Sequence, residues 1–198
     1  MLMLAAGLVA GLAQGAELPQ VDLARAEAIV AEKCSLCHGA AGESSSVLYP
    51  RLAGQHYQYI AKQLADFKAG RRASDTMGAM AGDLTEAEML ALGVFFEKKP
   101  ARSALGRDPE LLAVGRFIFV RGNEYSGVAP CASCHGDKGH GTPQLPRLAG
   151  QGALYIENQL KSFDKRVRTN DNAVMHSIAS RLTELEVKAV AAYLSTLP

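Results

Sequence analysis

The sequence lacks a surplus of either charge: 21 Lys and Arg stand against 20 Asp and Glu, a formal +1. That balance gives no electrostatic reason to expect nucleic acid as a partner. Strand signals are also missing, because no alternating β-branched stretch of useful length occurs, and the chain is expected to be all-α. No apolar run reaches the roughly 20 residues of a comfortable membrane span. The one from Met1 to about Ala16 (Leu2, Met3, Leu4, Ala5, Ala6, Leu8, Val9, Leu12) ends in small residues at Ala13, Gly15 and Ala16. It reads as a signal peptide, although no Lys or Arg precedes it, and an uncleaved anchor is the weaker reading. Cysteine is scarce, with four residues in two close pairs.

The rest of the composition is ordinary for a globular protein, with 48% hydrophobic and 21% charged residues. At 198 residues there is room for one large domain or two small ones. An internal repeat decides for two. Cys34-Ser35-Leu36-Cys37-His38-Gly39 returns as Cys131-Ala132-Ser133-Cys134-His135-Gly136, and Pro50-Arg51-Leu52-Ala53-Gly54-Gln55 as Pro146-Arg147-Leu148-Ala149-Gly150-Gln151. Gln63-Leu64 and Phe67 return as Gln159-Leu160 and Phe163, and Met77, ahead of Thr85, is matched by Met175 ahead of Thr183. Four landmarks in one order mean a duplicated domain, so the expected division is a signal over 1–16, domains at 17–98 and 109–198, and a linker at 99–108.

Three helices are expected in each copy. Asp108 and Pro109 open one that runs through Arg121, with Leu112, Gly115 and Phe119 facing inward, and its counterpart starts near Asp22 and runs into Cys34. The middle helices begin near His56 and Gly152. The last ones begin with capping boxes, Thr85 to Glu88 and Thr183 to Glu186. Leu92, Phe95 and Phe96, then Leu185, Ala189, Tyr193 and Leu194, are expected to supply core.

Cys-x-x-Cys-His is the attachment signature of c-type haem: two thiols form thioethers and the adjacent imidazole reaches the iron. All four cysteines, Cys34, Cys37, Cys131 and Cys134, are used in two such matches, with His38 and His135 as proximal ligands. The rivals explain less. One zinc site would tie the two copies together, a redox dithiol expects a βαβ context, and structural disulfides leave the histidines coincidental. Two covalently bound haem c groups are therefore expected, and their four propionates would move the formal charge to about −3 while Arg71, Arg72, Arg166 and Arg168 keep their faces basic.

A haem that only carries electrons needs a sixth ligand, and a methionine thioether suits because it favours the ferrous state. Met77 and Met175 are the candidates, each in an irregular segment before the last helix. Met80 has Ile178 as its repeat partner and reads as core packing. His56, His140 and His176 are the rivals, His176 the strongest. Pro50 and Pro146 offer carbonyls to the second ring nitrogen of His38 and His135. Tyr59, Tyr155, Arg71, Arg166 and Arg168 are candidates to hydrogen-bond propionates.

On these residues, together with Arg168-Thr169-Asn170-Asp171, the sequence resembles the two-haem cytochrome c4 family over essentially the whole mature chain. The resemblance implies tandem class I cytochrome c domains with propionate edges approaching one another, His and Met on each iron, and a periplasmic one-electron carrier. Its donor would be a quinol-oxidising complex or another redox protein and its acceptor a haem–copper terminal oxidase, with peripheral membrane association compatible. The alternatives are a dihaem subunit of an oxidoreductase complex, such as a sulfide-oxidising flavocytochrome, and, less favoured, a dihaem peroxidase. Ser74-Asp75 replaces Asn170-Asp171 ahead of the first Met, so unequal potentials are expected.

Overall fold

The computed structural model describes residues 18–198, and the expected signal segment lies outside them. The first copy comprises α1 (Leu23–Ile29), a π-helical turn (Val30–Cys34), α2 (Ser35–His38), α3 (Tyr57–Lys68), α4 (Asp75–Ala81) and α5 (Glu86–Glu97). The second comprises α6 (Pro109–Arg121), α7 (Ala132–His135), α8 (Ala153–Asp164), α9 (Val174–Ala179) and α10 (Glu184–Thr196). Among the described residues the β-structure is confined to two isolated bridges, Arg72 with Arg168 and Asn123 with Val128. No helix among them is long and apolar enough to cross a membrane.

Each copy is built the same way: its first and middle helices pack on its last, and the short methionine-bearing helix packs on the middle one. The starts follow local chemistry. Asp22 accepts the amide of Arg25, and Asp108 accepts that of Leu111 with Pro109 in the first turn. Thr85 with Glu88 and Thr183 with Glu186 form complete reciprocal capping boxes. One core gathers Ala26, Ile29, Ile60, Leu92 and Phe96, and the other Ile118, Phe119, Ile156, Val190 and Leu194.

The copies differ where the first helix approaches the cysteines. In the first, α1 passes into the π turn, in which the Ser35 amide donates to the Val30 carbonyl, and so runs directly into Cys34. In the second, α6 stops at Gly122 and a tight loop closed by Asn123 and Val128 intervenes before Cys131. Gly115 sits where α6 meets α10. A β-carbon there would lie 2.8 Å from Tyr193 Cβ and closer still to the Ala189 carbonyl, so this crossing needs glycine. Ala26 occupies the α1–α5 contact, completely buried.

Some expectations are corrected. The methionine segments are short helices rather than irregular chain, too brief for apolar periodicity to show. Leu185 is 59% exposed and outside the core, because the cap at Thr183 puts it on the solvent side of the first turn of α10. Met80 is 40% exposed, on the outer face of α4, and packs no core. Met89, in α5, is buried in the first core.

Candidate functional site

Each Cys-x-x-Cys-His segment is a single helical turn, so the histidine follows directly from the cysteines along one short rod. Gly39 and Gly136 then end the helix with φ of 78°, a left-handed conformation that glycine adopts without strain. The His38 ring is buried and its Nδ1–H donates to the Pro50 carbonyl at 3.0 Å; His135 does the same to Pro146 at 3.1 Å. This is the pairing expected from the repeated proline. It assigns the tautomer and leaves Nε2, which takes no partner among the described residues, with its lone pair available. Burial lowers the titration of both histidines, and the proline carbonyls only partly oppose it. Both rings are therefore held neutral, the form that binds a metal.

None of the four cysteines is paired in a disulfide. Burial pushes Cys34 and Cys131 up to about 11, so neither is the ready thiolate of a redox-active dithiol. No three His, Cys, Asp or Glu side chains converge as a metal cluster among the described residues, and the two pairs do not combine into one zinc site. A neutral histidine with an open Nε2, carried on one helical turn with two cysteines that form no disulfide, fits a covalently tethered haem in each copy.

Met77 and Met175 lie in α4 and α9, both half-buried. Ser74 Oγ accepts the Met77 amide at 3.2 Å, whereas Asp171 Oδ2 accepts those of Met175 at 2.7 Å and His176 at 3.2 Å. His176 Nδ1 donates to the Phe163 carbonyl, which holds the ring against α8. The other two rivals belong to the join between the copies: His56 Nε2 donates to the His140 carbonyl and His140 Nε2 to that of Pro198.

The join also takes three of the groups considered for propionates, Tyr59, Tyr155 and Arg168, together with Arg72. Arg72 donates to Tyr155 Oη, Gln159 and Gln63; Arg168 donates to Tyr59 Oη, Gln63 and Gln159. Arg72 is 9% and Arg168 8% exposed, so these two are not part of a basic outer face. Their guanidiniums stack on Phe67 and Phe163 and find neutral oxygen acceptors, which lets them be buried. Arg71 instead pairs with Asp66. Gln55, Gln151, Gln63 and Gln159 escaped the sequence reading as joining residues, though their recurrence at matched positions was the available signal.

The family described as Cytochrome c matches residues 23–97 and 119–198, once in each copy. Cytochrome c4 of Thiocapsa roseopersicina is 41% identical over 183 residues, covering 90% of this chain and 92% of that protein. The thiosulfate dehydrogenase electron acceptor of Thiomonas intermedia is 37% identical over 176 residues, covering 85% and 80%. The crystal structure of reduced recombinant cytochrome c4 from Pseudomonas stutzeri superposes with a TM-score of 0.84 at 30% identity, over 90% of this chain and all of that one. Twin helical domains, each with its own attachment turn and locked histidine, thus agree with relatives that the chain matches over most of their length, and the chain belongs to the cytochrome c4 family of electron carriers with two covalently bound haem c groups.

Proposed function

We propose that this protein is a periplasmic one-electron carrier of a respiratory chain, taking electrons from a quinol-oxidising complex or another donor and passing them toward a haem–copper terminal oxidase. Its domains are then 17–98 and 109–198, joined by 99–108 and preceded by an export signal over 1–16. Cys34 and Cys37 would hold the haem of the first domain through thioethers and Cys131 and Cys134 that of the second; His38 with Met77, and His135 with Met175, would supply the protein ligands to iron. Haem held in this way would supply one-electron chemistry between the ferric and ferrous states.

The chain's own part is positioning. The Pro50 and Pro146 carbonyls orient the imidazoles and raise their basicity. The capped turns at Ser74 and Asp171 set where the thioethers stand. A histidine and a methionine supplied by the protein to each haem would keep small molecules off the metal, which suits a carrier and not a peroxidase. The observation that carries this reading is the histidine–proline lock, made twice at matched positions.

The test begins with a pyridine haemochrome spectrum and an intact mass, which should give two haems per chain, followed by a redox titration in two steps. The reduced protein should then be reoxidised by membranes containing a haem–copper oxidase, and an oxidase inhibitor should stop it. Absence of inhibitor-sensitive reoxidation would refute the direction proposed. A second reading, a dedicated partner of an oxidoreductase complex, is favoured by the 37% identity to a thiosulfate dehydrogenase electron acceptor. Reduction of this protein by thiosulfate with such a dehydrogenase, faster than by a quinol-oxidising complex, would select it.

A further inference from the structure

Much of the hydrogen bonding between the domains follows the repeat, as in the paired bonds of Arg72 and Arg168 to Gln63 and Gln159, but the bonds around Asp66 do not. Arg72 N donates to the Asp66 carbonyl and Arg168 N to the Ser162 carbonyl, which makes Asp66 and Ser162 equivalent positions. Asp66 is 3% exposed, and its carboxylate accepts from Lys62, from Arg71 Nε at 2.7 Å and, across the join, from Asn170 Nδ2 at 2.7 Å. Asn170 Nδ2 also donates to Gln63 at 3.1 Å, its Oδ1 accepts from Arg168, and its carbonyl accepts from Lys62. Ser162 has no carboxylate to offer and donates to Asn158 in its own helix. Ser74, the counterpart of Asn170, caps α4; neither Ser74 nor Asp75 bonds to the second domain among the described residues.

Immediately after Asn170, the Asp171 carboxylate gathers the amides of Ala173, Met175 and His176. Between them Asn172 and Ala173 are left-handed, with φ of 54° and 64°. Non-glycine residues keep that conformation where their surroundings fix it. A short, fully bonded path therefore leads from a buried carboxylate of the first domain to the turn that bears Met175, and no equivalent leads back to Met77.

We propose that Asn170, held by Asp66, is a positioning residue for Met175, so that sixth-ligand geometry in the second domain depends on the first domain but not the reverse. The inference rests on the axial assignment of Met175. A hydrogen bond to a buried carboxylate is among the stronger ones. Its loss lets the left-handed pair relax and the α9 turn drift from the metal.

The experiment uses the ferric holoprotein and probes it with cyanide, with the Met-to-iron charge-transfer band and the two potentials recorded alongside. Asn170→Ala should accelerate cyanide binding at one haem by about tenfold or more and weaken its share of the band. Asn170→Asp should act more strongly, because it sets a second carboxylate against Asp66, and Ser162→Ala should behave as the parent. Asp66→Asn, which preserves shape, should reproduce the effect even if an Asn170 variant is poorly recovered. In a Met175→Ala background Asn170→Ala should add nothing, which assigns the affected haem. If Met175→Ala itself leaves band and cyanide binding unchanged, the axial assignment falls and this inference with it. If Met175→Ala opens one haem while Asn170→Ala and Asp66→Asn leave both haems as in the parent, or open the first, the brace is refuted and the assignment survives.

Discussion

Gln55 meets the backbone of Arg147 with both ends of its amide: Nε2 donates to the Arg147 carbonyl at 3.0 Å and Oε1 accepts the Arg147 amide at 2.9 Å. Gln151 makes the reciprocal pair with Arg51, at 2.9 and 2.8 Å. Each side chain imitates a strand neighbour for the other domain's loop, and both are buried. The repeated Pro-Arg-Leu-Ala-Gly-Gln segment thus does two tasks. Its proline orients the histidine of its own domain, and its arginine backbone and glutamine join the domains.

Removing one of these amides leaves a partly buried N–H and C=O unpaired, at a cost of up to about 1–3 kcal/mol for each group left unsatisfied. Gln55→Ala and Gln151→Ala should therefore each lower stability by at least about 1 kcal/mol. The double variant should separate a single denaturant transition of the holoprotein into two, as the domains lose their coupling. Denaturation followed both by haem absorbance and by far-UV dichroism checks this. Unchanged midpoints in both single variants would show that the paired amides contribute nothing to cohesion.

Much of the site was legible because its rules are local or repeated. The Thr–x–x–Glu boxes and the Asp108-Pro109 start need only neighbouring residues, and the His38–Pro50 and His135–Pro146 bonds were visible as one pattern written twice. What escaped depends on tertiary context. Arg72 and Arg168 look like surface charge until the join supplies Tyr155, Tyr59 and two glutamines to receive them. Leu185 and Met80 are apolar residues whose helical phase faces solvent, and composition alone does not give phase. The π turn before Cys34 adds a residue to a helix without altering its sequence character.

Met77→Ala and Met175→Ala each remove one proposed thioether ligand. Each should lower the potential of one haem and open it to carbon monoxide in the ferrous state, the other haem being untouched, because methionine opposite histidine raises the potential. The charge-transfer band should fall by about half in either variant and vanish in the double one, as each haem supplies one such pair. Unchanged spectra in both single variants would remove the axial assignment and bring His176 forward for the second domain.

Gly115→Ala forces a methyl group toward the Ala189 carbonyl and Tyr193 Cβ, both in α10. Neither backbone nor β-carbon can step aside as a flexible chain end would. The expected destabilisation is about 1–3 kcal/mol, the usual range for overpacking. It should be confined to the second domain, visible as a lower midpoint for the haem of that domain. The opposite exchange, Ala26→Gly, removes a fully buried methyl from the first domain and loosens the helix backbone, at about 1 kcal/mol. A Gly115→Ala protein as stable as the parent would mean that α6 and α10 stand farther apart than described.

Asp66 is the carboxylate on which acid should act. Burial pushes its titration up, but hydrogen bonds from Lys62, Asn170 and Arg71 outweigh burial and hold it below the ordinary carboxylate range. A lowered folded-state value stabilises the protein only while the carboxyl is ionised. The contribution is complete above the unfolded value of about 4 and disappears as pH falls through the folded one. Between about pH 5 and pH 3 the unfolded chain takes up the proton first, so stability must decline with acidification. Asp66→Asn cannot titrate there, and its denaturation midpoint should depend less steeply on pH over that interval while lying below the parent's at neutral pH. Parallel curves for parent and variant would show that Asp66 does not carry this dependence. A variant as stable as the parent at pH 7 would deny the carboxylate its place between the domains.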